Sequence, residues 1–134
     1  MQRLLSILLC FLSFSALTIE SDTLTVDRAV NADIELAFAN DRGIEPTLSD
    51  FELLNYVIMS NEAGERYAVV TLKNLASGSR QLESKHLLAL FANGERKQPS
   101  DFKLNFDANE TQSLTISFGE NKFPILAISS NSKH

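Results

Sequence analysis

The side chains that could do chemistry in this 134-residue chain are few and scattered. A zinc or copper centre needs imidazoles, thiolates or thioethers that converge, usually at short helical or strand spacings. The two histidines, His86 and His134, have no partner at i+2 or i+4, Cys10 stands alone, and Met59 is the one thioether beyond the N-terminal segment. No metal and no other cofactor is therefore expected. His86 reads as a surface or strand-edge residue, and His134 as part of a frayed tail with residues 129–133. Nucleophilic catalysis needs a Ser or Cys beside a His and an orienting carboxylate, and the chain has no G-x-S-x-G, H-E-x-x-H or phosphate-loop pattern. Asn40-Asp41-Arg42-Gly43 lacks the alternating acids and terminal Glu of a calcium loop and reads as a turn. Asn109-Glu110-Thr111 fits a glycosylation sequon and is read as a hairpin tip. No enzyme is expected from these residues.

Charge is the most informative surface property. The chain carries a net charge of −5. Residues 16–64 hold ten acidic and two basic side chains, net −8, whereas residues 65–134 hold seven acidic and nine basic, net +2. A net-negative chain without a dense basic tract repels phosphates, so nucleic acid is excluded as a partner. Arg80, Lys85, Arg96, Lys97 and Lys103 flank the Asn93-Gly94 pair and its neighbouring turns, which makes them a candidate interaction surface. Solubility and edge protection by Lys and Arg account for the same charges without a partner.

The elements that position these residues begin after an address. Arg3 precedes an apolar block at Leu4–Leu12, and Ser13 and Ser15 supply the small residues that signal peptidase requires. The expectation is a signal peptide at 1–15, cleaved before Ala16, leaving a single domain at 16–134 in the periplasm or outside the cell. The apolar stretch is too short and too rich in Ser for a spanning helix, so no stable membrane insertion is expected after cleavage. Cys10 leaves with the signal, and the remaining chain has no Cys, which suits an oxidising compartment.

Residues 16–134 read as strands. Ile34, Leu36 and Phe38 alternate with smaller or polar residues, and so do Leu114, Ile116 and Phe118. Phe51–Met59 and Tyr67–Leu72 are near-continuous apolar runs, expected for central strands covered on both faces. Phe123–Ile128 gives a last strand with Pro124 near its start. Asn61-Glu62-Ala63-Gly64 reads as a four-residue hairpin loop. Asn93-Gly94 predicts a two-residue type I′ hairpin, whose central residues both need positive φ. Asp107–Glu110 joins Phe102–Phe106 to Thr111–Phe118. Two segments also carry helical signals. Leu82–Ala92 is rich in helix formers with Gly94 as a C-cap, and Ser49-x-x-Glu52 matches a capping box. The strand reading is preferred at 82–92 because both neighbours are β. Seven or eight short strands with frequent turns predict an all-β fold, a β-sandwich.

The run Tyr67–Asn74, the Ser77-Gly78 turn, the strand ending in Phe91-Ala92-Asn93-Gly94, and Asn109-Glu110-Thr111 leading into Leu114–Phe118 together resemble small secreted bacterial β-sandwich modules with an immunoglobulin-like layout. The resemblance covers residues 50–128. It implies a fold and a location and carries no catalytic residue onto this chain. The Cys…Trp…Cys pattern of antibody domains is absent.

Two functional expectations follow. The first is a non-catalytic secreted or periplasmic module that binds another protein or an envelope polymer through loops, a strand edge or an exposed apolar patch, with Tyr56 or Tyr67 on the non-core face. The second is a small periplasmic enzyme or enzyme inhibitor, which requires a concave site where ionisable groups converge.

Overall fold

The computed structural model describes residues 23–31 and 44–133, and these are all-β apart from one short 3₁₀ turn. The proposed signal peptide, the strand expected at 34–38, the turn at 40–43 and His134 lie outside the described residues. Ten strands follow in order: β1 (Thr25–Asn31), β2 (Leu48–Ser49), β3 (Phe51–Ser60), β4 (Glu65–Asn74), β5 (Arg80–Glu83), β6 (Leu87–Phe91), β7 (Arg96–Lys97), β8 (Lys103–Phe106), β9 (Thr111–Glu120) and β10 (Ile125–Ser132). Two of them are two-residue pieces, which is why the count exceeds the seven or eight read from apolar runs. One sheet has the order β1-β3-β4-β9, a second β2-β10-β6-β7, and β5 pairs with β8 alone.

The core lies between these layers. Tyr56, Ile58, Ala68, Val70, Leu72, Ile116 and Phe118 point inward from the first sheet. Leu82, Leu87, Ala89, Phe91, Phe106, Ile125 and Ile128 meet them from the other strands. Edge-to-face ring pairs lock the contact, Phe51 with Phe106 at 5.0 Å and Phe91 with Phe118 at 6.3 Å. Leu53 N–H donates to Ser130 Oγ at 3.3 Å, and the Arg28 guanidinium donates to the Leu126 carbonyl, so β10 is tied to the first sheet by polar contacts too.

Expectation and structure part company at several places. β4 alternates strictly, with Ala68, Val70, Leu72 and Asn74 buried and Tyr67, Val69, Thr71 and Lys73 half-buried between them. The runs at 51–59 and 67–72 are therefore not strands covered on both faces. Their second face carries apolar side chains that remain partly in solvent. Both-face burial belongs instead to β6, where Leu87–Phe91 are all buried.

The Asn93-Gly94 hairpin forms, but with a different turn. Only Gly94 has positive φ (87°). Its N–H donates to the Phe91 carbonyl at 2.8 Å, and Phe91 N–H donates to the Glu95 carbonyl at 2.8 Å. This is a three-residue loop with Gly in the left-handed position, the usual alternative to type I′. The 61–64 loop repeats it: Gly64 has φ 82° and donates to the Asn61 carbonyl at 3.0 Å. Asp107–Glu110 is no hairpin tip, because β8 pairs with β5 and β9 pairs with β4. The turn carries the chain from one layer to the other, with Asn109 at φ 59°.

At 82–92 the strand reading holds, interrupted by the 3₁₀ turn Ser84–His86. The Ser49 hydroxyl begins no helix. It accepts from Phe51 N–H at 3.2 Å and turns the chain into β3.

Candidate binding face and its loop groove

The face of the first sheet turned away from the core is built by period-two geometry from strands whose other side supplies the core residues of this sheet. Register places its side chains in rows. Val26, Met59, Tyr67 and Ser117 form one row, and Ala29, Val57, Val69 and Thr115 form the next. Asn55, Thr71 and Ser113 follow, then the opposed pair Glu52 and Lys73 with Thr111. The first two rows contain no charged residue across four strands. Val26 is 63% exposed, while Val57, Met59, Tyr67 and Val69 are half-buried. Thr71 and Ser113 share a hydroxyl hydrogen bond of 2.7 Å, so the apolar field grades into a hydroxyl field along the strands.

Tyr56 and Tyr67 separate cleanly. Tyr56 is a core residue at 2% exposure. Tyr67 lies on the outer face, its hydroxyl donating to Glu65 Oε2 at 3.0 Å. Glu65 is held in turn by Asn61: the Asn61 amide donates to Glu65 Oε1 at 3.1 Å and its carbonyl oxygen accepts from Glu65 N–H at 3.0 Å. The Tyr67 ring is thus anchored at the end of the sheet where two loops meet. There Asn121 N–H donates to the Gly64 carbonyl at 3.1 Å, and Arg66 Nε donates to the Asn121 carbonyl at 3.1 Å. Between the loops runs a shallow groove of about 300 Å³ lined by Ala63, Gly64, Glu120, Asn121 and Lys122. Phe123, 43% exposed, follows directly in the same loop.

The five basic residues singled out in the sequence do not pool at one place. Arg80 and Lys103 sit at opposite ends of the β5–β8 ladder, and Arg96 and Lys97 lie on β7. Most are matched locally by carboxylates. Arg80 pairs with Asp50 at 2.9 Å, Lys97 with Glu95 at 3.0 Å and Lys85 with Glu83 at 3.8 Å, and Lys103 stands opposite Glu83 in the ladder. Arg96 donates to the Ile44 carbonyl at 2.9 Å. A second shallow depression, about 360 Å³, is lined by Glu83, Ser84, Asp101, Phe102 and Lys103, with the Ser84 hydroxyl donating to Asp101 at 3.2 Å.

His86 is not a surface residue. It is 8% exposed, its ring lies 5.7 Å from that of Phe51, and Nδ1 accepts from Glu83 N–H at 3.0 Å. Burial, assisted by the Lys85 ammonium and opposed by Glu83, pushes its pKa below the ordinary 6.5. The imidazole is a structural acceptor that caps the 3₁₀ turn. Sequence reasoning missed it because the signal, a Glu three residues before a His, is meaningful only once the turn is known.

Among the described residues no group of three or more His, Cys, Asp or Glu is placed to hold a metal ion, and no helix is long and apolar enough to cross a membrane. No family model, no curated protein and no solved structure matches the chain.

Proposed function

We propose that the protein is a non-catalytic binding module with an immunoglobulin-like layout, working in the periplasm or outside the cell, and that it holds a partner protein against the outer face of the first sheet. The observation that carries this reading is the uncharged apolar field of Val26, Val57, Met59, Tyr67 and Val69, solvated in part although the core is complete without it. Tyr and Met are enriched at protein interfaces, where a large contact area is gained at small entropic cost, and charged residues are depleted from interface centres. Within the earlier choice between protein and envelope polymer, the same field favours protein. An anionic polymer would call for unpaired cations, and three of the five candidate cations are paired with neighbouring carboxylates.

Val69→Glu and Met59→Glu test the reading, since each places a carboxylate in the field without entering the core. The partner retained by the wild-type protein on affinity purification from cells is expected to be lost from both variants, with their melting temperatures kept within a few degrees. Equal retention by wild type and both variants contradicts the assignment.

A further inference from the structure

The first sheet ends in two edges that are built differently. β1 is a protected edge, with a bulge at Asp27, the adjacent charge of Arg28, and an Asp27–Arg66 ion pair at 3.9 Å. β9 lacks these devices from Thr111 to Ser117, and its own bulge lies beyond, at Phe118. From Thr111 to Gly119 it contains no charge and no proline, and it forms an uninterrupted ladder with β4 through Ser117. Long uncharged edges are what folded proteins ordinarily avoid.

Alternation along β9 shows which backbone groups face outward. The Glu110 carbonyl accepts from Asn74 N–H at 2.9 Å and so points toward β4. The Ser117 carbonyl accepts from Ser100 N–H at 2.7 Å and so points away. In an antiparallel pair the bonded positions recur every second residue. Gln112, Leu114 and Ile116 therefore face β4, while the N–H and C=O groups of Thr111, Ser113 and Thr115 face the edge. The Ser100 contact shows that this edge accepts a backbone donor from the bend between β7 and β8, and among the described residues it closes the edge at Ser117 alone.

We propose that β9 pairs antiparallel with β9 of a second copy of this chain, about a two-fold axis at Ser113. Ser113 then meets Ser113 of the second copy, and Thr111 meets Thr115 on either side. Three bonded pairs exchange six backbone hydrogen bonds. The side chains at these positions lie on the outer face, so hydroxyls meet hydroxyls and extend the Thr71–Ser113 contact across the seam. Glu110 falls opposite Ile116, so no two charges oppose each other. The Ser100 strap falls opposite Asn109, where the chain has already turned toward the other layer. The self-complementary, uncharged ladder is what commits the edge to a second copy. The result is a continuous eight-stranded sheet carrying two apolar fields on one side. A five-residue seam buries little area, so the dimer is of the weak class. The pairing does not rest on the binding role proposed above.

Sedimentation velocity on the purified protein from about 10 µM to 1 mM measures it directly. A concentration-dependent dimer is expected. Ser113→Lys sets two ammoniums face to face on the axis and is expected to raise the dissociation constant more than about tenfold. Ser113→Pro removes an N–H that β4 does not use, and is expected to act the same way. Register is read in a Cys10→Ser background. Ser113→Cys alone forms a disulfide dimer, since bonded antiparallel partners have Cα atoms about 5.5 Å apart. Thr111→Cys and Thr115→Cys cross-link only when mixed. A monomer throughout the range overturns the pairing, as does a dimer unaffected by both Ser113→Lys and Ser113→Pro. A Thr111→Cys protein that cross-links to itself overturns the register. If the protein is monomeric yet still loses its partner in Val69→Glu, the pairing fails and the binding face stands.

Discussion

Asn74 is fully buried and satisfies three groups on two turns. Its amide donates to the carbonyls of Gly78 and Asp107, both at 3.0 Å, and its own carbonyl oxygen accepts from Ala76 N–H at 3.0 Å. Truncation leaves the buried Ala76 N–H and two part-buried carbonyls without this partner, and an orphaned buried group costs about 1–3 kcal/mol. Asn74→Ala is therefore expected to lower unfolding free energy by about 2–4 kcal/mol, and Asn74→Asp by at least as much, because it replaces the donor with a buried carboxylate. Chemical denaturation measures both, and a loss under about 0.5 kcal/mol, the range typical of surface positions, refutes the role. His86 makes a pH prediction. Its folded-state pKa is depressed, so the unfolded chain takes up the proton first. The contribution of the neutral ring is complete above about pH 6.5 and is lost as pH falls from there toward the folded value. His86→Asn keeps a carbonyl acceptor for Glu83 N–H and does not titrate. Stability is expected to fall more steeply with acid for the wild type than for His86→Asn, and equal slopes would contradict the assignment.

At the scale of elements, the strands were legible and the turns only partly so. Alternation of Leu114, Ile116 and Phe118 against Thr115 and Ser117 reads directly as one buried face, and Ile116 is 3% exposed in the core. Ile116→Asp is expected to unfold the protein, since an unpaired carboxylate there costs several kcal/mol. A melting temperature within a degree or two of wild type would remove β9 from the core. β3 and β4 misled because apolar side chains on both faces look the same in sequence whether the second face is covered by protein or turned to solvent. Asn93-Gly94 marked the right hairpin and the wrong turn, because a Gly at the left-handed position serves either loop length. Gly94 has φ 87° with open space around the missing Cβ, so its requirement is for the backbone alone. Gly94→Ala is expected to cost about 1–2 kcal/mol and Gly94→Asn less, because Asn tolerates the left-handed region. Equal stability of Gly94→Ala and wild type in a thermal melt would contradict the turn. His86 and Asn74 were illegible as structural residues, since the partner of His86 depends on the 3₁₀ turn and those of Asn74 come from two turns distant in sequence.

At the scale of the molecule, composition argued against a nucleic-acid binder and spacing offered no catalytic constellation. What remained was a choice of surface. The folded chain offers locally paired cations around β5, β7 and β8, and an uncharged apolar field across β1, β3, β4 and β9. Among the described residues the field lies outside the core, which closes behind it. Its position next to the groove at Gly64 and Glu120, and to the exposed Phe123, extends it onto the loops. A photo-reactive amino acid placed in living cells at Val69, within the field, and separately at Gln81, exposed on β5 in the other layer, asks which surface meets another polypeptide. One discrete adduct with a different protein is expected from position 69, absent when Met59→Glu is added, and none from position 81. No such adduct from position 69, or the same adduct from position 81, would contradict it.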